Sequence, residues 1–178
     1  WTRTDAMANC ADYGWPVVTL RADVDGQTMD FTAQVTLELS EGESIGDRAA
    51  TAGAYLDFYG IHVPDGASES CNECSLLSVS ISWTSNSLQV GQTFSAAADD
   101  VSGFTAGATF TTLDDIYGYT SDGSDPDVQP WSGTVTITEL GTDHIAGTFE
   151  FVVYRGVDPG PTVPSIAITN GVFSFDYR

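Results

Sequence analysis

The chain has 178 residues, 42% of them hydrophobic, which is enough for one ordinary domain with a packed core. Its 25 Asp and Glu residues face only 5 basic residues, all of them Arg, and the net charge is −20. A surface of that sign repels phosphate groups, which argues against nucleic acid and acidic membranes as partners. No apolar run approaches the roughly 20 residues that cross a bilayer as a helix, so we expect no membrane span.

The first predicted element is a β-hairpin. In "VVTLRADVDGQTMDFTAQVTLEL" two strand-like stretches flank Asp25 and Gly26, and this dipeptide supplies the positive φ angles of a two-residue turn. Segment 49–63 is ambiguous, because its alanines favour a helix and its aromatic residues favour a strand. We predict a strand for its second half.

Alternation of apolar and polar residues with period two predicts the next strands. In "SVSISWT" Val79, Ile81 and Trp83 share one face, and the serines share the other. The same alternation recurs over 134–138, 148–153 and 173–178, whereas Pro concentrates in the connections between these segments. The pattern predicts a single all-β domain over 1–178, an antiparallel β-sandwich or closed barrel of roughly eight to ten strands.

One acidic loop is a candidate metal site. The stretch "DGSDPD" places Asp122, Asp125 and Asp127 close together in a surface loop, where carboxylate oxygens can converge on a calcium ion. Asp is also an ordinary turn-forming residue, so the same loop has a purely structural interpretation. Calcium is the one cofactor that the sequence suggests.

Three cysteines allow several arrangements. In an exported protein we expect one disulfide, either between Cys10 and one member of the pair Cys71 and Cys74 or within that pair. A zinc site formed by the three cysteines and His62 is the alternative, although one C-x-x-C motif without a second is a weak zinc signal.

No catalytic arrangement is evident. The only histidines are His62, on a predicted strand, and His144, which we expect to be a solvent-exposed turn residue; no G-x-S-x-G elbow occurs. Adjacent carboxylates at 99–100 and 114–115 point to opposite faces of a strand and cannot form an acid–base dyad. We therefore expect a protein that is not an enzyme.

The C-terminal third carries a recurring pattern. It comprises "SGTVTIT" with Gly133 to Thr138, "HIAGTFEF" with Gly147 to Phe151, and "IAITNGVFSFDY" with Thr169 to Phe173. Together with "ADVDGQTMDFTA", this pattern resembles secreted bacterial proteins, many of them lipoproteins, in which a G-x-F strand and a T-N-G-x-F strand recur. The resemblance implies an exported β-domain and implies no reaction.

The expected function is contact without catalysis. The chain begins at Trp1 rather than Met, and we expect an exported protein at the cell surface or outside the cell. The first hypothesis is a structural subunit of an extracellular assembly or filament, which would bind itself or another surface protein through edge strands or termini. The aromatic C-terminal strand and the segment 1–15, docked on a neighbour or on the domain itself, would make these contacts.

The alternative function is a secreted binding module for a small ligand, a glycan or calcium. Three tryptophans, Trp15, Trp83 and Trp131, could line its site, although Trp83 fits the core better. The exposed threonine rows "TVTIT" and "TFTT" are a further candidate contact surface.

Overall fold

The computed structural model describes nine stretches of the chain, namely residues 17–36, 45–50, 54–65, 74–83, 87–96, 104–112, 116–118, 132–155 and 165–176. The elements in these stretches are β1 (Val17–Val24), β2 (Gln27–Thr36), α1 (Ile45–Ala50), β3 (Ala54–His62), β4 (Ser75–Trp83), β5 (Thr93–Ser95), β6 (Phe104–Thr111), β7 (Ile116–Gly118), β8 (Ser132–Leu140), β9 (His144–Arg155) and β10 (Ser165–Asp176).

The strands form one sheet that closes on itself. Hydrogen-bonded neighbours follow the order β10, β1, β2, β3, β4, β6, β5, β8, β9, and β9 pairs in turn with β10. The pairings are antiparallel except for that of β5 with β6, where Ser95 lies beside Thr105. The predicted fold class, an antiparallel all-β sandwich or closed barrel, is confirmed.

Two short strands complete the ring between β6 and β9. β5 joins one end of β6 to β8, and β7 joins the other end of β6 to β9. β10 is paired along both sides, with β1 and with β9. The hypothesis that the C-terminal strand is an open edge for another subunit is therefore wrong over the residues described.

Period-two alternation places the apolar side chains inside the ring. In β4 the side chains of Leu77, Val79, Ile81 and Trp83 are buried, as the alternation predicts. Phe58 of β3 contacts Phe173 of β10, with ring centroids 4.3 Å apart, so side chains from separate parts of the ring meet in one core. Each such burial contributes about 1.5–3 kcal/mol to folding.

The predicted first hairpin is present. Asp25 and Gly26 have φ angles of 48° and 80°, which are the positive values that a two-residue turn requires between β1 and β2. The second half of segment 49–63 is strand β3, also as predicted, and the short helix α1 precedes it. Within the part of the chain that can be described, no helix is long and apolar enough to cross a membrane.

The G-x-F motifs lock neighbouring strands together. Gly147 of β9 lies opposite Phe173 of β10, and Gly171 of β10 lies opposite Phe149 of β9. A Cβ atom on Gly147 would come within 2.4 Å of the Phe173 ring, and one on Gly171 within 2.4 Å of the Phe149 ring. Because the strands are antiparallel, each glycine provides the space that the other strand's phenylalanine fills.

Candidate functional site

The outer face of β3, β4 and β6 carries small hydroxyl side chains beside two tyrosines. Cross-strand register arranges these residues in three rows, each with one residue from each strand. The rows are Tyr55, Ser82 and Thr105; Asp57, Ser80 and Gly107; and Tyr59, Ser78 and Thr109. We call these nine positions the hydroxyl face. Strands lie about 4.8 Å apart and residues on one face about 6.8 Å apart, so the positions form a regular grid.

A groove of about 340 Å³ lies on the hydroxyl face. Its lining comes from β3, β4 and β6 and consists of Tyr55, Ser78, Ser80, Ile81, Ser82, Thr105, Ala106, Gly107, Ala108 and Thr109. Gly107 leaves its floor open, because a Cβ atom there would stand 3.1 Å from the Ser80 Oγ. Tyr55 lies at the side of the groove and is 48% exposed, so an aromatic ring flanks a strip of hydroxyl groups.

Asp57 is the middle one of the three β3 residues on the hydroxyl face. Its neighbours on this face are Tyr55 and Tyr59 along the strand and Ser80 across from it. The carboxylate is half-buried, and this burial is the one cause that raises the pKa of Asp57. Among the residues described, none makes a hydrogen bond or ion pair with it. Such a carboxylate is costly to the fold and is a common mark of a functional group.

The face continues into an apolar end. Ile61 of β3 lies opposite Leu76 of β4, and these side chains are 46% and 37% exposed. At the other end the Ser82 and Thr105 hydroxyls lie 2.6 Å apart and form a hydrogen bond that bridges β4 and β6. The face thus offers hydroxyl groups, aromatic rings and aliphatic surface in one continuous strip.

A second groove, of about 520 Å³, lies on the outer face of β8, β9 and β10. It contains the predicted threonine row, and its lining is Thr134, Thr136, Thr148, Phe149, Glu150, Asn170, Gly171 and Val172. Although this groove is larger, Phe149 is buried and the exposed apolar side chain is Val172. It therefore lacks the exposed ring that the hydroxyl face has.

His144 is held between two carboxylates. Its Nδ1 lies 2.7 Å from the Asp176 Oδ1, and its Nε2 lies 3.2 Å from the Glu139 Oε2. The Nε2 atom is buried and makes no hydrogen bond of good geometry with the residues described. The prediction of an exposed turn histidine is wrong. His144 is the first residue of β9, and its imidazole links the end of β8 to the end of β10. With Nε2 buried and Nδ1 hydrogen-bonded to Asp176, the ring nitrogens of His144 serve the contacts between strands.

His62 and Cys74 have structural contacts. The His62 Nδ1 lies 2.9 Å from the backbone oxygen of Asp30, and its ring lies edge-on to Phe31. Cys74 is disulfide-bonded. A disulfide sulfur cannot act as a zinc thiolate, which removes one ligand from the alternative zinc site. Among the described residues, no three or more His, Cys, Asp or Glu side chains are arranged so that they could hold a metal ion.

Hydrogen bonds join the first hairpin to β10, the two segments that begin and end the recurring sequence pattern. The Asn170 side chain donates a hydrogen bond of 2.8 Å to Asp23, and the backbone N–H of Ala167 donates one of 2.9 Å to Asp25. Thr28 also donates to Asp23, and these side-chain hydrogen bonds, that of Thr28 first, lower the pKa of Asp23. The aspartates of the first hairpin thus hold the segment of β10 where its register with β9 shifts, between Ile168 and Gly171.

Several predicted site residues lie outside the described part of the chain. They are the calcium candidates Asp122, Asp125 and Asp127, the cysteines Cys10 and Cys71, and the tryptophans Trp15 and Trp131. The calcium site and the choice of disulfide partner therefore stay predictions. Trp83 is 1% exposed and belongs to the core.

Sequence reasoning missed Asp57 and the hydroxyl face. The serine alternation in β4 identified a wet face, but the partners of those serines depend on the pairing with β3 and β6. The available signal was the run "YLDFY", which places one acidic residue between two tyrosines on the polar side of a strand.

Comparison of the chain with protein-family models, curated proteins and solved structures finds no match. The resemblance to secreted bacterial proteins therefore stays a prediction.

Proposed function

We propose that this protein is an exported, non-catalytic domain that binds carbohydrate on its hydroxyl face. The groove beside Tyr55 is the observation that carries the proposal. Sugar rings present hydroxyl groups at their edges and C–H groups on their faces. A strip of Ser and Thr hydroxyls next to an exposed aromatic ring complements both kinds of surface.

The composition of the groove supports binding rather than catalysis. Glycoside hydrolysis uses two carboxyl groups on either side of the scissile bond. On the hydroxyl face Asp57 is the single carboxylate, and no histidine is among the groove's lining residues. The disulfide at Cys74 supports the export that the sequence suggested, because disulfides persist in oxidising compartments.

Closure of the ring favours binding over assembly through strand edges. An assembly subunit that exchanges strands needs an unpaired edge, and β10 has neighbours on both sides. Contact with another surface protein through the chain termini stays a prediction, since segment 1–15 lies outside the residues described.

Screening against an array of neutral and charged oligosaccharides tests the proposal. We expect Tyr55→Ala to weaken the strongest interaction about tenfold, equivalent to ~1.4 kcal/mol. Gly107→Val should abolish binding by filling the floor of the groove. Val172→Ala is the matched control, because it truncates an exposed apolar residue in the second groove, and it should bind normally.

Two results would refute the proposal. If the protein bound no oligosaccharide on the array, carbohydrate would be excluded as its ligand. Loss of binding in Val172→Ala, with normal binding in Tyr55→Ala and Gly107→Val, would move the site to the second groove.

A further inference from the structure

The hydroxyl face has one charged side chain, Asp57, and nothing in the described structure neutralises it. Arg21 lies within 3.6 Å of Asp30, which leaves that guanidinium engaged on β1 and β2. The chain has no Lys and a net charge of −20, so the protein as a whole attracts cations. A cation supplied by a ligand would stabilise this carboxylate, and an anionic sugar would be repelled by it.

The side chains around Asp57 also suit an ammonium group. Tyr55 and Tyr59 stand on either side of it along β3, each about 6.8 Å away along the strand. Aromatic rings attract ammonium groups through their electron-rich faces, and a carboxylate accepts strong charge-assisted hydrogen bonds from them. Two tyrosines with a carboxylate between them therefore provide both interactions.

We propose that the hydroxyl face selects a glycan whose sugars carry free amino groups. This inference rests on the proposed carbohydrate-binding function and names the class of sugar. Asp57 binds the protonated amine, flanked by Tyr55 and Tyr59, while the hydroxyls of the β4 serines bind those of the sugar. A lysine-rich peptide would also supply ammonium groups, but it has no series of hydroxyl groups to bind the β4 serines.

The test compares one oligosaccharide in two chemical forms. A glucosamine oligomer and its N-acetylated counterpart have the same backbone and differ in the charge on nitrogen. Binding is measured by calorimetry at about 0.15 M salt, which screens long-range attraction to the acidic surface, and at a mildly acidic pH that keeps the amines protonated. The wild type should bind the amino form at least about tenfold more tightly, the effect of one hydrogen bond to a charged group.

Two variants separate the site from the overall charge. Asp57→Asn should remove the preference for the amino form and leave any weaker binding of the acetylated form unchanged. Asp30→Asn removes the same charge from the outer face of the neighbouring strand β2, where the side chain is 81% exposed, and it should keep the preference. Normal circular dichroism spectra will establish that both variants are folded.

The outcomes distinguish this inference from the proposed function. Equal or tighter binding of the acetylated form, still weakened by Tyr55→Ala, would overturn the amino-sugar inference and leave carbohydrate binding intact. Equal losses in Asp57→Asn and Asp30→Asn would also overturn it, since the preference would then be non-specific attraction to a polycation. Tighter, Asp57-dependent binding of a lysine-rich peptide would replace the glycan as the occupant. If neither sugar form bound and no oligosaccharide on the array bound, the proposed function would be refuted as well.

Discussion

The pairing of Gly133 with Phe151 makes a quantitative prediction about packing. Gly133 of β8 lies opposite Phe151 of β9, and a Cβ atom on Gly133 would stand 2.0 Å from the Phe151 Cδ1. An ordinary carbon–carbon contact is about 3.5–4.0 Å, so the buried ring must move in a Gly133→Ala variant. Overpacking of this kind costs about 1–3 kcal/mol, which for a chain of this length lowers Tm by roughly 2–12 °C.

A double-mutant cycle measured by urea unfolding tests this reasoning. Phe151→Ala alone should cost about 3–5 kcal/mol through the cavity that it leaves. In that background Gly133→Ala should cost nothing, or stabilise by up to about 1 kcal/mol, because the clash is gone and alanine restricts the unfolded chain. Gly141→Ala is the control, since the nearest atom to its Cβ would be 3.8 Å away, and it should change stability by less than about 0.5 kcal/mol. The reasoning would be refuted if Gly133→Ala lowered the free energy of unfolding equally in the wild type and in Phe151→Ala. The backbone conformation, and not the Phe151 ring, would then require the glycine.

Four further predictions concern single groups. Burial raises the pKa of Asp57, so Asp57→Asn should raise Tm at pH 7, and the gain should shrink as the pH falls through that raised pKa toward the ordinary value of Asp, about 3.9; an unchanged or lower Tm at pH 7 would contradict this. Hydrogen bonds lower the pKa of Asp23, so Asp23→Asn should lower Tm at pH 7, with the difference closing as the pH drops below about 4; a pH-independent difference would count against the charge. Reduction of the Cys74 disulfide should cost about 2–4 kcal/mol if Cys10 is the partner and less if the short C-x-x-C loop is closed; free-thiol counting on Cys10→Ser decides the pairing. Millimolar calcium should raise Tm relative to chelator, and Asp125→Asn should reduce that rise; no shift in the wild type would eliminate the calcium loop.

The strands could be predicted from the sequence because their signals are local. The alternation in β4 depends only on which residues face water, and the Asp25–Gly26 turn depends on the φ angles of two residues. Segment 49–63 was ambiguous for the same reason, since its composition mixes helix and strand preferences and the pairing with β2 and β4 decides the outcome. Where neighbouring residues in the chain determine the conformation, the sequence was sufficient.

Ring closure and the candidate site depend on register between strands, which no local pattern encodes. The pairing of β9 with β10 turns two G-x-F motifs into an interlocking pair, but the motifs alone do not say which phenylalanine fills the space beside which glycine. In the same way Ser80 becomes part of a site only because β3 places Asp57 on one side and β6 places Gly107 on the other. His144 was misjudged because its carboxylate partner Asp176 comes from β10, far along the chain.

Asp57 and Asp23 illustrate how the same side chain can serve folding or function. Asp23 is partly exposed, and its carboxylate accepts hydrogen bonds from Thr28 and Asn170 that fix the first hairpin to β10. Asp57 is half-buried without such donors in the described structure, so folding alone gives no reason for a charge there. An asparagine would fit the same space at a lower desolvation cost. A fold that gains stability from Asp57→Asn while losing ligand preference would therefore identify Asp57 as a binding residue, because stability and function respond to its charge with opposite signs.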